Sequence, residues 1–337
     1  MHPAIAFKSI GAFTTWYKNE MIITVIIHLL RVNHPVIIIE ISIIAGGAYK
    51  LLIKNRNEII VDVYILIHPA QVLDDAFIFY GIEAGKVKSP HFKIKHVIED
   101  IETLNKHALK HELDVTAVSV HAYAYLKNYA ILRTGASFGF NYGPVVVSKK
   151  ELSLSQLKEC TIAIPGKMTS ANLLLNLALG KFNEQEINFQ LIPNAVLSDK
   201  VDAGLVIHES QITYYKSHLY NILDLGAWWH TETNGLPVPL GINVASTKSM
   251  TIEEIRNFNY FFKNSIIYGL EHRNAAVNHA MRYSRGQPKH VMTKFIKMYV
   301  NDITVDMGSE GEKSIKKMFK LGREKGILPL TLQLNFA

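Results

Sequence analysis

An α/β protein of two domains with a mainly helical C-terminal third is what this sequence predicts, and three observations predict it. From residue 61 onward, short β-branched runs alternate with amphipathic stretches, the pattern of strands and helices in a largely parallel sheet. Two breaks rich in glycine and proline, Gly143-Pro144 and Gly235 to Gly241, cut that alternation into parts. At 337 residues, 48% hydrophobic and 19% charged, the chain is long and apolar enough for each part to bury its own core.

Residues 1–60 are set apart as an N-terminal extension. Met21 to Tyr49 is rich in Ile and Val, yet Arg31 and Glu40 interrupt it and His28, His34 and Pro35 add polarity or break a helix. No uncharged run therefore reaches the roughly 18 to 20 residues that a membrane span needs. Short strands packed on the body, or a loose segment, are expected there, and a true start near Val61 is one reading of it.

Val61 to Ile67 reads as a strand, and Asp74-Asp75 opens a helical stretch, Ala76 to Ala84, that stops at Gly85. Phe92 to Val97 is a second strand, Ile101 to His111 a helix and Asp114 to Val118 a third strand; from Ser119 the chain is predicted helical through Tyr129. The glycine-rich loop Thr134 to Pro144 reads as a crossing into a second domain. There Val145 to Val147, Thr161 to Ile164, Asn188 to Ile192, Ala203 to Ile207 and Leu223 to Leu225 are predicted strands, and Ala171 to Leu179 an apolar helix. Gly235 to Gly241 breaks any helix and most strands, so it reads as a rigid return crossing. Beyond it Ile252 to His272, Ala275 to Tyr283, Pro288 to Tyr299 and Gly311 to Lys325 read as amphipathic helices. The boundaries that follow are 1–60 for the extension, 61–146 with 240–337 for one lobe, and 147–239 for the other.

The formal charge of +7 comes from Lys and Arg scattered in ones and twos, which favours a small anionic partner over a nucleic-acid track. Cys160 is the only cysteine, so the chain has neither a disulfide framework nor a CxxC metal spacing, and a reducing compartment fits best. Cys160 itself reads as a small, half-buried filler.

In open α/β sheets, ligands sit beyond the carboxyl ends of the strands, where helix N-termini present free N–H groups. Four such junctions carry polar side chains: Asp74-Asp75, Ser119, Thr169-Ser170 and His208-Glu209. Asp, Ser and Thr are the commonest helix caps, so it is the convergence of Asp75, Ser119, Thr169 and Ser170 on one crevice that makes them candidate ligand contacts. Thr169-Ser170 follows Pro165-Gly166-Lys167 and suits a carboxylate or phosphate, but it lacks the GxxxxGK[ST] spacing of a P-loop. Residue type leaves two roles open for His208: a general base, or an imidazole tied to Glu209 or a backbone carbonyl. No metal motif surrounds it. Trp228, Trp229, Tyr123, Tyr125, Phe138, Phe140 and Tyr142 supply either an aromatic wall for a flat substrate or core packing.

Five segments in order carry a resemblance. Glu99-Asp-Ile-Glu-Thr-Leu-Asn105, the Ala-Gly-Leu-Val-Ile-His208-Glu-Ser run, Asp224-Leu-Gly-Ala-Trp-Trp229, Gly235-Leu-Pro-Val-Pro-Leu-Gly241 and Val300-Asn-Asp-Ile-Thr-Val-Asp306 together resemble the 1,4-dihydroxy-6-naphthoate synthase family, from about residue 62 to about residue 325. The resemblance implies a type II periplasmic-binding-protein-like fold, two α/β lobes joined by two crossings with a helical C-terminal part. It also implies a cytoplasmic carbon–carbon lyase of menaquinone biosynthesis, needing no metal or organic cofactor, that turns cyclic dehypoxanthinyl futalosine into 1,4-dihydroxy-6-naphthoate. On that pattern His208 is the base, the hydroxyls of Ser119, Thr169 and Ser170 lie in the pocket, and Asp75 lies beside them. The partner implied is a small anionic substrate, with no nucleic acid and no membrane span; the oligomeric state is left open. A catalytically inert solute-binding protein of the same fold, and the chorismate-dehydrating enzyme of the same pathway, are the alternative readings. Three departures from the family pattern stand out: the loop His68 to Asp75 is longer and lacks a serine, Ser170 stands where a second threonine is common, and residues 1–60 have no counterpart.

Overall fold

The computed structural model describes the backbone of residues 12–17, 20–25, 38–44, 48–54 and 63–68, then residues 73–337 except 97, 98, 285 and 332; side chains are described from residue 75 onward, apart from 93, 95–98, 285 and 332. The chain divides into two compact units, Met1–Ile65 with Ser89–Lys95, and Leu66–Lys88 with His96–Ala337.

In the first unit the described parts of the Ile- and Val-rich stretch, 21–25, 38–44 and 48–49, take up extended backbone, as β-branched side chains favour. Strands β1 (Ala12–Tyr17) and β2 (Glu20–Val25) pair antiparallel, and so do β3 (Ile38–Ile44) and β4 (Ala48–Lys54). Among the described residues no helix is long and apolar enough to cross a membrane. Strand β5 (Val63–His68) runs from this unit into the second.

Helices α1 (Leu73–Ile78) and α2 (Tyr80–Glu83) follow, then β6 (Phe92–His96), α3 (Ile101–Leu109), β7 (Val115–Ser119) and α4 (Val120–Tyr123). Next come β8 (Tyr129–Ile131), β9 (Ser137–Gly139) and β10 (Val145–Ser148). The middle of the chain supplies α5 (Leu154–Glu159), β11 (Thr161–Ile164), α6 (Ser170–Leu179), β12 (Asn183–Glu186), α7 (Ile192–Leu197), β13 (Ala203–Val206), β14 (Tyr220–Asp224) and α8 (Leu225–Glu232). After β15 (Val238–Ser246) the rest is helical: α9 (Ile252–Glu271), α10 (Arg273–Ala280), α11 (Lys289–Tyr299), α12 (Asp302–Val305) and α13 (Gly308–Glu324).

The second unit holds two sheets. In one, the end of β5 pairs parallel with β7 (Ile67 opposite Val115), and β15 lies antiparallel to β7, β8 and β9. The other has the order β12-β11-β13-β10-β14, with β11 parallel to β12 and β13 and with β10 antiparallel to β13 and β14. Both sheets are therefore mixed, whereas the alternation of strands and helices predicts largely parallel ones. The helix-connected strands are parallel, as right-handed crossovers require; β10 and β15, which arrive from the other sheet, enter from the opposite end and run against their neighbours.

Three predicted elements differ. The segment Gly235 to Gly241 does not exclude a strand, since β15 begins at Val238 and passes through Pro239. Its register with β9 shifts between Pro239 and Gly241, so the residue without an N–H sits at an irregularity where a ladder bond is already lost. The helix opening at Ser119 ends at Tyr123, and Tyr129 begins a strand instead. Asn188 to Ile192 is a helical turn leading into α7, with the Asn188 side chain accepting from the Gln190 N–H and a proline in the first turn; the strand is the polar, exposed β12 just before it. Trp228 and Trp229 lie on α8, which Asp224 caps through the N–H groups of Gly226 and Ala227.

One apolar core runs between the two sheets. Val118, Val120, Phe138, Ile164, Leu173, Leu174, Leu177, Trp229, Val244 and Phe319 are all buried in it. Helix α6 is buried on nearly every side, which explains its unbroken leucines, each contributing about 1.5–3 kcal/mol by leaving water. Trp229 keeps its indole N–H satisfied on the Pro237 carbonyl, 3.2 Å away. Behind the second sheet Val145, Val147, Ile192, Val196 and Val206 form a separate cluster.

Candidate active site

A cavity with about 710 Å³ of empty space, open mouth included, is lined from both sheets by Asp75, Ser119, Thr169, Ser170 and His208, with Gln211, Asn243, Phe295 and Tyr299 around them. The five residues singled out from the sequence thus share one cavity. The unusual loop length read between His68 and Asp75 falls on residues 69–72, which lie outside the described residues.

His208 stands where the buried strand β13 ends and a short 3-10 helix, His208–Ile212, begins. Its backbone is left-handed, with φ of +53°, a conformation that non-glycine residues adopt only when their surroundings enforce it. The half-buried imidazole meets Phe189 edge to face at 4.8 Å between ring centres and Phe295 at 6.4 Å. Three residues on, Gln211 accepts a hydrogen bond of 2.7 Å from the Tyr299 hydroxyl. That bond occupies the carbonyl end of the amide and orients its NH₂ away from Tyr299.

Asp75 is buried in the first turn of α1. Because that helix starts at Leu73, Asp75 is its third residue and not its cap. Ser119 occupies the position before α4, yet its side chain does not cap that helix. Instead Asn105 grips it twice: the Ser119 N–H donates to Asn105 Oδ1 at 2.9 Å, and Asn105 Nδ2 donates to Ser119 Oγ at 3.2 Å.

Thr169 does cap. Its hydroxyl accepts from the Asn172 N–H at 3.2 Å and donates to the Gly166 carbonyl at 2.8 Å. The Ser170 hydroxyl donates to the Leu240 carbonyl on β15 at 2.5 Å and accepts from the His121 N–H at 3.3 Å, so it fastens α6 to the other sheet. What this corner offers a ligand is therefore the backbone N–H groups of Ser170 and Ala171, which have no intrahelical acceptor.

Two buried ionisable groups support that corner without lining the cavity. His121 places Nδ1 3.2 Å from the Thr169 carbonyl. Burial pushes its pKa down to about 4, against the opposing effect of that bond, so the ring is neutral near pH 7. Glu102 is also buried, and desolvation raises its carboxyl above the usual range despite the bond from Asn105 and the charge of Lys106.

Of the two roles open to the seven aromatic residues, core packing holds for several and a cavity wall for none. Tyr123, Phe138 and Trp229 are buried in the core, Tyr125 and Phe140 are exposed, and none of the seven lines the cavity. Phe295 and Tyr299 from α11 do so instead. Backbone space matters at Gly135, where φ is +84° and a Cβ would stand 2.4 Å from the Phe262 ring and 2.6 Å from Asn243 Nδ2. Among the described residues no group of three or more His, Cys, Asp or Glu could hold a metal ion. Cys160 is half-buried, donates to the Gln156 carbonyl and has its thiol pKa raised by burial, an inert setting.

Residues 67–324 match the model of a family described as menaquinone biosynthesis. The 1,4-dihydroxy-6-naphtoate synthase of Thermus thermophilus is 35% identical over 255 residues, covering 75% of this chain and 92% of that protein. The same enzyme from Streptomyces coelicolor is 30% identical over 264 residues, covering 76% and 92%. A crystal structure of an Archaeoglobus fulgidus protein superposes with a TM-score of 0.75 at 44% identity, covering 79% of this chain and 98% of that one. The alkanesulfonate-binding protein of Xanthomonas axonopodis superposes with a TM-score of 0.61 at 13% identity, covering 80% and 95%; at that identity it establishes the fold alone, that of the periplasmic binding proteins.

Proposed function

We propose, from the premise that this chain belongs to the menaquinone-biosynthesis family of 1,4-dihydroxy-6-naphthoate synthases, that it converts cyclic dehypoxanthinyl futalosine into 1,4-dihydroxy-6-naphthoate with His208 as general base. The family makes it an enzyme of lyase type; the substrate, the base and a cytoplasmic place of action are our reading. The observation that carries it is the position of His208, on the cavity wall at the end of β13, its ring flanked by Phe189 and Phe295. As a general base, an imidazole there takes a proton from an acidic C–H or O–H brought within hydrogen-bond reach. The ring then opens, the sugar fragment leaves, and the aromaticity of the naphthoate makes the step downhill.

The substrate carboxylate is assigned to the N-terminus of α6, on the N–H groups of Ser170 and Ala171. Thr169 serves by capping that helix and Ser170 by anchoring it to Leu240, while Asp75 and Ser119 contact the substrate from the other sheet. We take the two sheets as the two lobes of a binding-protein-like cleft, 61–146 with 240–337 and 147–239, whose closure excludes water around the base. The test incubates the protein and its His208→Asn variant with cyclic dehypoxanthinyl futalosine and follows naphthoate formation. Normal turnover by the variant removes His208 from the mechanism; tight binding without turnover by the wild type makes the chain an inert binder.

A further inference from the structure

We propose that Glu102 and Asn105 are positioning residues that turn the Ser119 hydroxyl into a hydrogen-bond donor aimed at the substrate and tie it to the turn 165–169 on the opposite wall. The inference deepens the proposed function, since it takes the cavity as the active site. Neither side chain lines the cavity, so both act through Ser119 and through that turn.

The polarity follows from a chain of fixed donors. Asn105 is fully buried, and its Oδ1 accepts from the Ser119 N–H, which directs the NH₂ end toward Ser119 Oγ and toward Glu102 Oε2, 3.3 Å away. The carboxyl oxygen Glu102 Oε2 accepts from that NH₂, so Glu102 suits this orientation of the amide. With one lone pair of Ser119 Oγ taken by Asn105, the hydroxyl proton points away from the amide, and Ser119 lines the cavity. The substrate oxygen that meets it is an acceptor.

The same carboxylate reaches the other wall. The Met168 backbone lies close enough to lower its pKa, as the weakest of the influences on it, one residue before the cap of α6. Gly166 lets it come that close, because a Cβ there would stand 2.6 Å from Glu102 Cδ and Oε2. A single buried pair therefore sets the Ser119 junction and the start of α6 in one relation, and a shift of about 1 Å in such a frame is enough to cost about 100-fold in rate.

The test uses the full chain carrying Asn105→Asp, Glu102→Gln, Ser119→Ala and the Asn105→Asp, Ser119→Ala pair. Asp at 105 loses the donor and draws the hydroxyl proton inward, so kcat/KM with cyclic dehypoxanthinyl futalosine is expected to fall about tenfold or more, and the pair to be no worse than its poorer member. Factors that multiply in the pair, or an Asn105→Asp variant as active as wild type, overturn the proposal. Amide exchange needs no turnover: Glu102→Gln is expected to speed exchange in residues 165–170 and leave the rest of the second unit as in wild type. Unchanged exchange there, or a rise throughout with a lower melting temperature, overturns it too. A wild type that turns over nothing is a failure of the proposed function, and exchange then decides this proposal alone.

Discussion

The two strand ends that reach the cavity from the second sheet are built on opposite plans. After β11, the hydroxyls of Thr169 and Ser170 are both used inside the protein, on Gly166, Asn172, Leu240 and His121. After β13, His208 presents its ring to the cavity between two aromatic edges, on a left-handed backbone. The first end is shaped to offer main-chain N–H groups, and the second to offer a side chain. Polar residues at strand ends are therefore not equivalent: the hydroxyls there are spent on the shape of the corner, whereas the imidazole faces the cavity, where the proposed base has to stand.

The largest effect is expected where that contrast is sharpest. His208→Asn keeps a residue that tolerates positive φ and removes the proposed base, so kcat should fall by about 10²- to 10⁴-fold with KM little changed. Steady-state naphthoate release measures both, and an unchanged kcat would erase the distinction between the two ends. Next comes His121, which buttresses the first end as a neutral ring. Its folded pKa of about 4 lies below the unfolded value of about 6.5, so between those values the unfolded chain binds more protons and stability rises with pH, by on the order of 3 kcal/mol in all. That stability is complete above about pH 6.5 and absent below the folded pKa. Glu102, shifted upward, acts with the opposite sign just above the ordinary carboxylate range, so the comparison is between wild type and His121→Gln in urea unfolding across this window. A variant with the wild-type slope would show that the ring is not what titrates.

Smaller changes sharpen the same comparison. Thr169→Ala removes the cap of α6 and should lower stability by about 1 kcal/mol, raising KM while sparing kcat; a loss confined to kcat would move the hydroxyl from shape to chemistry. Tyr299→Phe removes one hydrogen bond to Gln211, expected to cost about 1 kcal/mol or less and to show as a small rise in KM alone.

What was legible in the sequence follows the same division. An apolar run ending at an imidazole marked His208, and cap-type residues after β-branched runs marked Ser119 and Thr169, because local chemistry decides those positions. Asn105, Glu102 and Gln211 were not legible as part of the site, since a polar residue beside an apolar helix face looks the same whether it meets water or a buried serine. Strand β12 escaped notice because Asn183–Glu186 is exposed throughout and shows no alternation, while Phe189 and Ile192 next to it mimic a strand with helical residues. Pro239 argued against β15 on local grounds, and pairing with three neighbouring strands overrode it.

The left-handed backbone at His208 has a consequence for laboratory selection. Glycine escapes the conformational penalty there and asparagine largely avoids it, so the residue that the proposed reaction needs is not the one that best suits the fold. A screen of random variants for heat resistance alone would enrich glycine and asparagine at position 208, and its winners would be sturdier proteins without the proposed base.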